Sequence, residues 1–354
     1  MSQFLILGLA ATALGYPAVN KHHHTPLENA TDYLVSVGPR PYYIISNMTD
    51  SPLKRKLQSC ENTPVSISPF TIGHRGGGTL QFPEESIRSQ DAVSTLCSKQ
   101  DGFNASATTP LTYQAGTPLW RTELYDTCAQ TLTLNQYIDL VDSYPGYRNF
   151  TPELKTPPAA VPMPFQGNYT QAQYASDMIS AFRLKGISAD RVWPQSFLFE
   201  DVVYWIDNDE EFGAQAVYLQ EFDTPSDLAA GFANLSDARA AGVNIIAPSL
   251  PMLLSIGGAD NNTIVESEYA KAIKDNGMDI IAWTFERSGP LANVKRDGEY
   301  YFASIADVVD HDGQYYEVLD VLVREVGVKG LFTDWAGTSF AYTMTYDKMV
   351  CERT

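Results

Sequence analysis

The stretch Thr71–Ser86, TIGHRGGGTLQFPEES, decides how the chain is read. It opens on Phe70-Thr71-Ile72, an apolar, β-branched run that predicts a short buried strand. The strand ends in Gly73-His74-Arg75 and runs into Gly76, Gly77 and Gly78. Glycine lets backbone approach a ligand closely. Arginine presents a planar fork of donors that matches phosphate, and histidine moves a proton near neutral pH. Both at the mouth of one strand suit an anionic ligand. A core histidine beside a surface arginine would explain His74-Arg75, but not the Phe82-Pro83-Glu84-Glu85-Ser86 that follows.

Downstream the pattern alternates. Helices are expected over Ile87–Leu96, Leu134–Ser143, Gln171–Leu184, Asp201–Asp207, Ser226–Ala241, Glu266–Asn276 and Tyr316–Val326. Short apolar strands are expected at Val192–Phe197, Gln215–Leu219, Val243–Ala247, Asp279–Phe285 and Gly330–Asp334. Repeated strand–helix units predict an α/β fold with a parallel sheet of the TIM-type (β/α) barrel kind, whose working residues sit at C-terminal strand ends. At one such end lies Glu153-Leu154-Lys155. Residues two apart on a strand share a face, so Glu153 and Lys155 point together into the barrel mouth. A buried ion pair that only braces the barrel is the plainer reading of those two.

His74-Arg75-Gly76 with Pro83-Glu84 resembles the first motif of the glycerophosphodiester phosphodiesterase family, and Glu153-Leu154-Lys155 resembles its Glu-(Ile/Leu)-Lys strand. Ser196-Phe197, Trp283-Thr284 and Thr333-Asp334-Trp335 resemble later signatures. The resemblance implies a barrel that hydrolyses a small glycerophosphodiester to glycerol 3-phosphate and an alcohol, with a divalent metal (Ca or Mg). It assigns His74 to proton transfer and Arg75 and Lys155 to the phosphate. Trp283 falls to the glycerol side of the pocket, Glu153 to the metal, and Glu84 to supporting the histidine–arginine loop.

The chain departs from that pattern in places. Glu85-Ser86 stands where the family has Asn-Thr, and no Glu-x-Asp pair or histidine occurs between Ser86 and Arg148. His311-Asp312 imitates the missing pair but reads as a polar loop. About two βα units are therefore expected to be missing after the first, leaving an incomplete barrel over residues 66–345. Seven candidate strands plus two absent ones make nine, so one of the seven is expected to lie outside the barrel or to be misassigned. With one metal carboxylate instead of three, affinity for a hard cation should be poor, and the chain reads as a variant with little or no activity.

Composition bounds the rest. The 354 residues are 44% hydrophobic and 19% charged, an ordinary globular balance. The net charge of −18 repels nucleic acid and anionic membranes at long range. Residues 1–15 read as a secretory signal peptide, residues 16–65 as an N-terminal extension, and nothing else approaches a membrane span. Sequons at Asn29, Asn47, Asn104, Asn149, Asn168, Asn234 and Asn261 fit secretion, as do four cysteines, for which Cys97–Cys128 and Cys60–Cys351 are the favoured pairs. His22-His23-His24 reads as a solvated tract, and Tyr42–Ser46 as a short strand or an arm on the barrel. Two other functions fit less of the chain: a non-catalytic secreted or wall-associated binding barrel, and a glycosidase using Glu153 and Asp334.

Overall fold

The computed structural model describes residues 39–61, 69–74, 132–144, 148–159, 161–221, 224–287 and 290–346. The expected signal peptide, the three histidines, the helix expected over 87–96, Arg75, Glu84, and Cys97, Cys128 and Cys351 lie outside these residues.

The centre is a six-stranded, all-parallel sheet. Its strands are β1 (Thr71–Gly73), β2 (Gln195–Ser196), β3 (Val217–Gln220), β4 (Ile245–Pro248), β7 (Asp279–Phe285) and β8 (Gly330–Thr333), in the order β1-β8-β7-β4-β3-β2. Beyond β2 the segment 150–154 continues the sheet through parallel bridges Phe150–Val192 and Glu153–Gln195. All seven strand candidates therefore belong to one sheet, and none lies outside it. An eight-stranded barrel would need one further strand, between 150–154 and β1. Of the connection between those two edges, residues 75–131 and 145–147 are outside the described set.

The two faces of the sheet bury separate cores. Val217, Leu219, Ala247, Ile281 and Phe332 form the inner cluster, with Ile72, Trp193, Phe197 and Trp283 against it. Ala216, Ile246, Ile280, Ala282 and Leu331, their alternating neighbours, join the helices on the outer face. That alternation is what a curled parallel sheet with an internal core and a helical coat requires.

The helices follow from local signals. Two of them open on a clear cap. Leu134–Ser143 begins at Thr133 and Gln171–Leu184 at Thr170, each a capping box closed by Gln136 and Gln173. The second buries Ala175, Met178, Ile179 and Phe182, one helical face, with Phe182 edge-to-face on Phe150 at 5.3 Å. Thr170→Ala should cost about 1 kcal/mol, lowering the melting temperature by roughly 2 °C in a calorimetric scan.

Two features were not anticipated. Tyr42–Ser46 is not a strand but part of α1 (Arg40–Asn47), which is followed by α2 (Pro52–Ser59), capped by Ser51. Ile44, Ile45, Met48 and Leu57 of this N-terminal pair enter the main core. Asn47 Oδ1 accepts from Gly313 N at 2.9 Å. A Cβ at position 313 would sit 2.5 Å from Met48 backbone atoms, so glycine alone permits the approach. The second feature is an antiparallel hairpin, β5 (Leu254–Gly257) with β6 (Thr263–Glu266), inserted before the β7 unit. Among the described residues no helix is long and apolar enough to cross a membrane.

Candidate active site

Parallel strands deliver their C-terminal residues to one rim. His74 follows β1, Lys155 follows the bridged segment, Phe197 follows β2, Glu221 follows β3, Trp283 and Thr284 are late in β7, and Asp334 follows β8. A cavity of about 910 Å³ opens at this rim. Four of the six expected site residues line it together: His74, Glu153, Lys155 and Trp283. The remaining two, Arg75 and Glu84, lie outside the described residues.

His74 is held from behind. Its Nδ1 lies 2.9 Å from Asp334 Oδ1. A carboxylate only accepts, so Nδ1 carries the hydrogen, and proton exchange with the cavity falls to Nε2. Asp334 is 1% exposed, and Arg287 reaches its other oxygen at 3.3 Å. The histidine ring also meets Phe332 edge-on at 6.4 Å. Asp334 is thus committed to orienting His74. Buried beneath it, it is not poised as a glycosidase carboxylate, and it does not line the cavity.

In the same cavity Lys155 Nζ donates to Glu153 Oε2 at 2.8 Å. The pair therefore presents a compensated charge, with the lysine side chain largely exposed and the glutamate mostly covered. Among the described residues no three His, Cys, Asp or Glu converge closely enough to hold a metal ion. Among these described residues the donor set does not fit a tightly bound divalent cation, since the one expected ligand, Glu153, is engaged by Lys155.

One wall is aromatic. Trp283 is fixed by donation from its indole Nε1 to Ala247 O at 2.8 Å. Phe197 meets it edge-on at 5.6 Å and Tyr301 at 6.1 Å. Tyr137 and Tyr169 also line the cavity, and desolvation is the leading cause that pushes both hydroxyls up to about 12. Both stay protonated donors at neutral pH. Tyr169 donates to Asp177 Oδ2 on the Gln171–Leu184 helix at 2.7 Å.

Two members of the site were missed from sequence. Asp334 was noticed in its motif, but not as the partner of His74, from which 260 positions separate it. Glu221 lines the cavity beside Leu219; the two-residue spacing beyond a predicted strand was the available signal. His311 bonds its neighbour Asp310 at 2.6 Å and does not line the cavity, in keeping with a polar loop.

A second acidic centre lies below the rim. Glu286, fully buried just after β7, accepts from Arg40 Nε of α1 at 2.9 Å, Thr338 Oγ1 at 2.9 Å and Thr333 Oγ1 at 3.2 Å. The Arg40 guanidinium stacks over Trp335 at 4.3 Å. Burial pushes the Glu286 carboxyl up to about 7 despite Arg40.

No family model matches the chain. It is 42% identical over 249 residues to an extracellular protein of Arthroderma benhamiae, an alignment covering 70% of this chain and 99% of that one. Among solved structures it is similar to a putative glycerophosphoryl diester phosphodiesterase of Silicibacter pomeroyi, with a TM-score of 0.45 and 14% identity over 82% of this chain and 98% of that one. It is also similar to one from Agrobacterium tumefaciens, with a TM-score of 0.45 and 15% identity over 78% and 97% of the two chains.

Proposed function

Since the chain belongs to the same family as the extracellular protein of Arthroderma benhamiae, we propose that it is a secreted barrel of the glycerophosphodiester phosphodiesterase type, working with little help from a bound metal. The observation that carries the reading is one cavity holding His74, backed by buried Asp334, together with Lys155. That arrangement puts a proton-transfer group and a cation in one cavity, which is what hydrolysis of an anionic diester needs.

In this reading the phosphodiester sits between His74 and Lys155, with Arg75 contributing its fork from the loop after β1. His74 Nε2 takes a proton from the attacking water as the new P–O bond forms. Asp334 stabilises the resulting imidazolium through Nδ1. The bond to the leaving alcohol breaks, and its oxygen takes a proton from a water molecule, to which the His74 imidazolium gives up the proton it took. Trp283 shapes the side where glycerol lies. Glu84 supports the loop that carries Arg75. Disulfides and glycosylation at exposed sequons such as Asn168, Asn234 and Asn261 belong to the same secreted reading. Cys60 is buried and disulfide-bonded, its partner lying outside the described residues.

The test is release of the alcohol from glycerophosphocholine by the full chain, with EDTA and with added Ca or Mg. We expect slow turnover that chelation changes by less than about threefold, because no described donor cluster fits the cation. Turnover abolished by EDTA and restored by metal would refute the metal-poor site. Turnover no faster than that of His74→Ala would remove the enzyme and leave a binding barrel.

A further inference from the structure

The 910 Å³ cavity does not end at Lys155. Behind it lies an annex of about 300 Å³. Lys155, Tyr169 and Tyr174 line both spaces, so the two adjoin at the residue assigned to phosphate. The far walls of the annex are Pro157, Pro158, Val161, Met163 and Phe165. These five offer hydrocarbon, and Thr156, next to Lys155 in the chain, adds one hydroxyl to the lining.

The walls are pre-formed. Prolines 157, 158, 162 and 164 restrict the loop's backbone. Its tip is closed by reciprocal backbone hydrogen bonds between Phe165 and Tyr169, at 2.7 and 3.0 Å. Tyr169 anchors that tip to Asp177. Phe165 nevertheless stays 41% exposed at the annex rim, an apolar ring left facing water. A rigid apolar slot, wet at its mouth and joined to a phosphate position, fits an apolar chain that leaves the diester next to its phosphate.

We infer that the substrate is an amphiphilic phosphodiester, one that carries an alkyl or acyl chain, and that the chain lies in the annex. This rests on the phosphodiesterase reading for the polar end of the ligand. Each methylene taken from water favours binding, and two well-buried ones already correspond to about tenfold in affinity.

The experiment compares two probes on the full chain by isothermal titration: glycerophosphocholine, and the same molecule bearing one hexanoyl chain, used below its micelle concentration. Turnover of both is followed in parallel. The acylated probe should bind at least about tenfold more tightly. Val161→Asp and Phe165→Ser should each remove that advantage and leave the affinity for glycerophosphocholine unchanged. Phe165 is exposed enough that its replacement will not unfold the chain, so the second variant keeps the test valid if the first is unstable. Equal affinities in the wild type, a preference that survives both variants, or no binding of either probe overturns the inference. A preference without turnover removes the phosphodiesterase reading and leaves an amphiphile-binding site. Turnover without a preference does the reverse.

Discussion

His74→Ala should lose on the order of 10²–10⁴ in kcat/KM toward a glycerophosphodiester, the range typical of removing a general acid–base group. The companion variant is more informative. Asp334→Asn keeps the size of the side chain, but an amide offers its partner either oxygen or nitrogen. The tautomer of His74 is then no longer fixed, and the imidazolium formed during reaction loses its counter-charge. We expect a fall on the order of 10² in kcat with little change in KM, because Asp334 touches His74 and Arg287 rather than the cavity. The double variant should be no worse than His74→Ala alone, since the two residues act as one unit. Independent, multiplicative losses would show that Asp334 works some other way.

The second large effect concerns stability. Arg40→Met removes the cation beside a fully buried carboxylate, leaving only the Thr333 and Thr338 hydroxyls as partners. Removing one member of a buried pair costs about 3–5 kcal/mol. The cost should depend on pH, and its sign can be worked out. The Glu286 carboxyl has a folded-state pKa near 7, above its ordinary value of 4.5. The folded chain therefore holds this proton more tightly than the unfolded one. Its contribution is fully present below about pH 4.5 and is lost as pH rises through 7, by up to roughly 3 kcal/mol. Wild type should thus lose stability from pH 5 to 8 more than Glu286→Gln does, and Arg40→Met should lose most at pH 8. Denaturant melts at the two pH values check this. Equal losses for Arg40→Met at pH 5 and 8 would show that packing over Trp335, not charge, is what Arg40 supplies.

Local signals in the sequence carried far where they were strong. Leu134–Ser143, Gln171–Leu184 and Asp279–Phe285 appear with the bounds expected of them. The first two are announced by Thr-x-x-Gln caps, and the third is a continuous apolar run of buried-strand length. Tyr42–Ser46 reads as a short strand or an arm on the barrel, and the segment is a helical arm packed on the core, since a run that short has no period of its own. Its resolution came from distant partners, Gly313 and Glu286. The β5–β6 hairpin was legible in principle: Leu254 to Gly257 and Thr263 to Glu266 flank a polar turn with Gly258 at φ +82°. It was hidden by the expectation that everything in this half alternates strand and helix. The rim residues showed through because period-two spacing places Glu153 with Lys155 on one face. The His74–Asp334 and Arg40–Glu286 partnerships leave no local trace, since nothing in either neighbourhood specifies the other end.

Strand β1 pairs with β8, the last of the described strands. His74 waits for Asp334 across 260 positions, and Arg40 for Glu286 across 246. At about 5–20 residues per second of synthesis, that interval is on the order of tens of seconds. Throughout it the α1 face of Ile44, Ile45 and Met48 has none of its C-terminal cover, and the histidine lacks its orienting carboxylate. The nascent chain is therefore catalytically silent and in need of chaperoning until its final strand emerges. Truncation anywhere before β8 should yield a product that is both inactive and prone to aggregate.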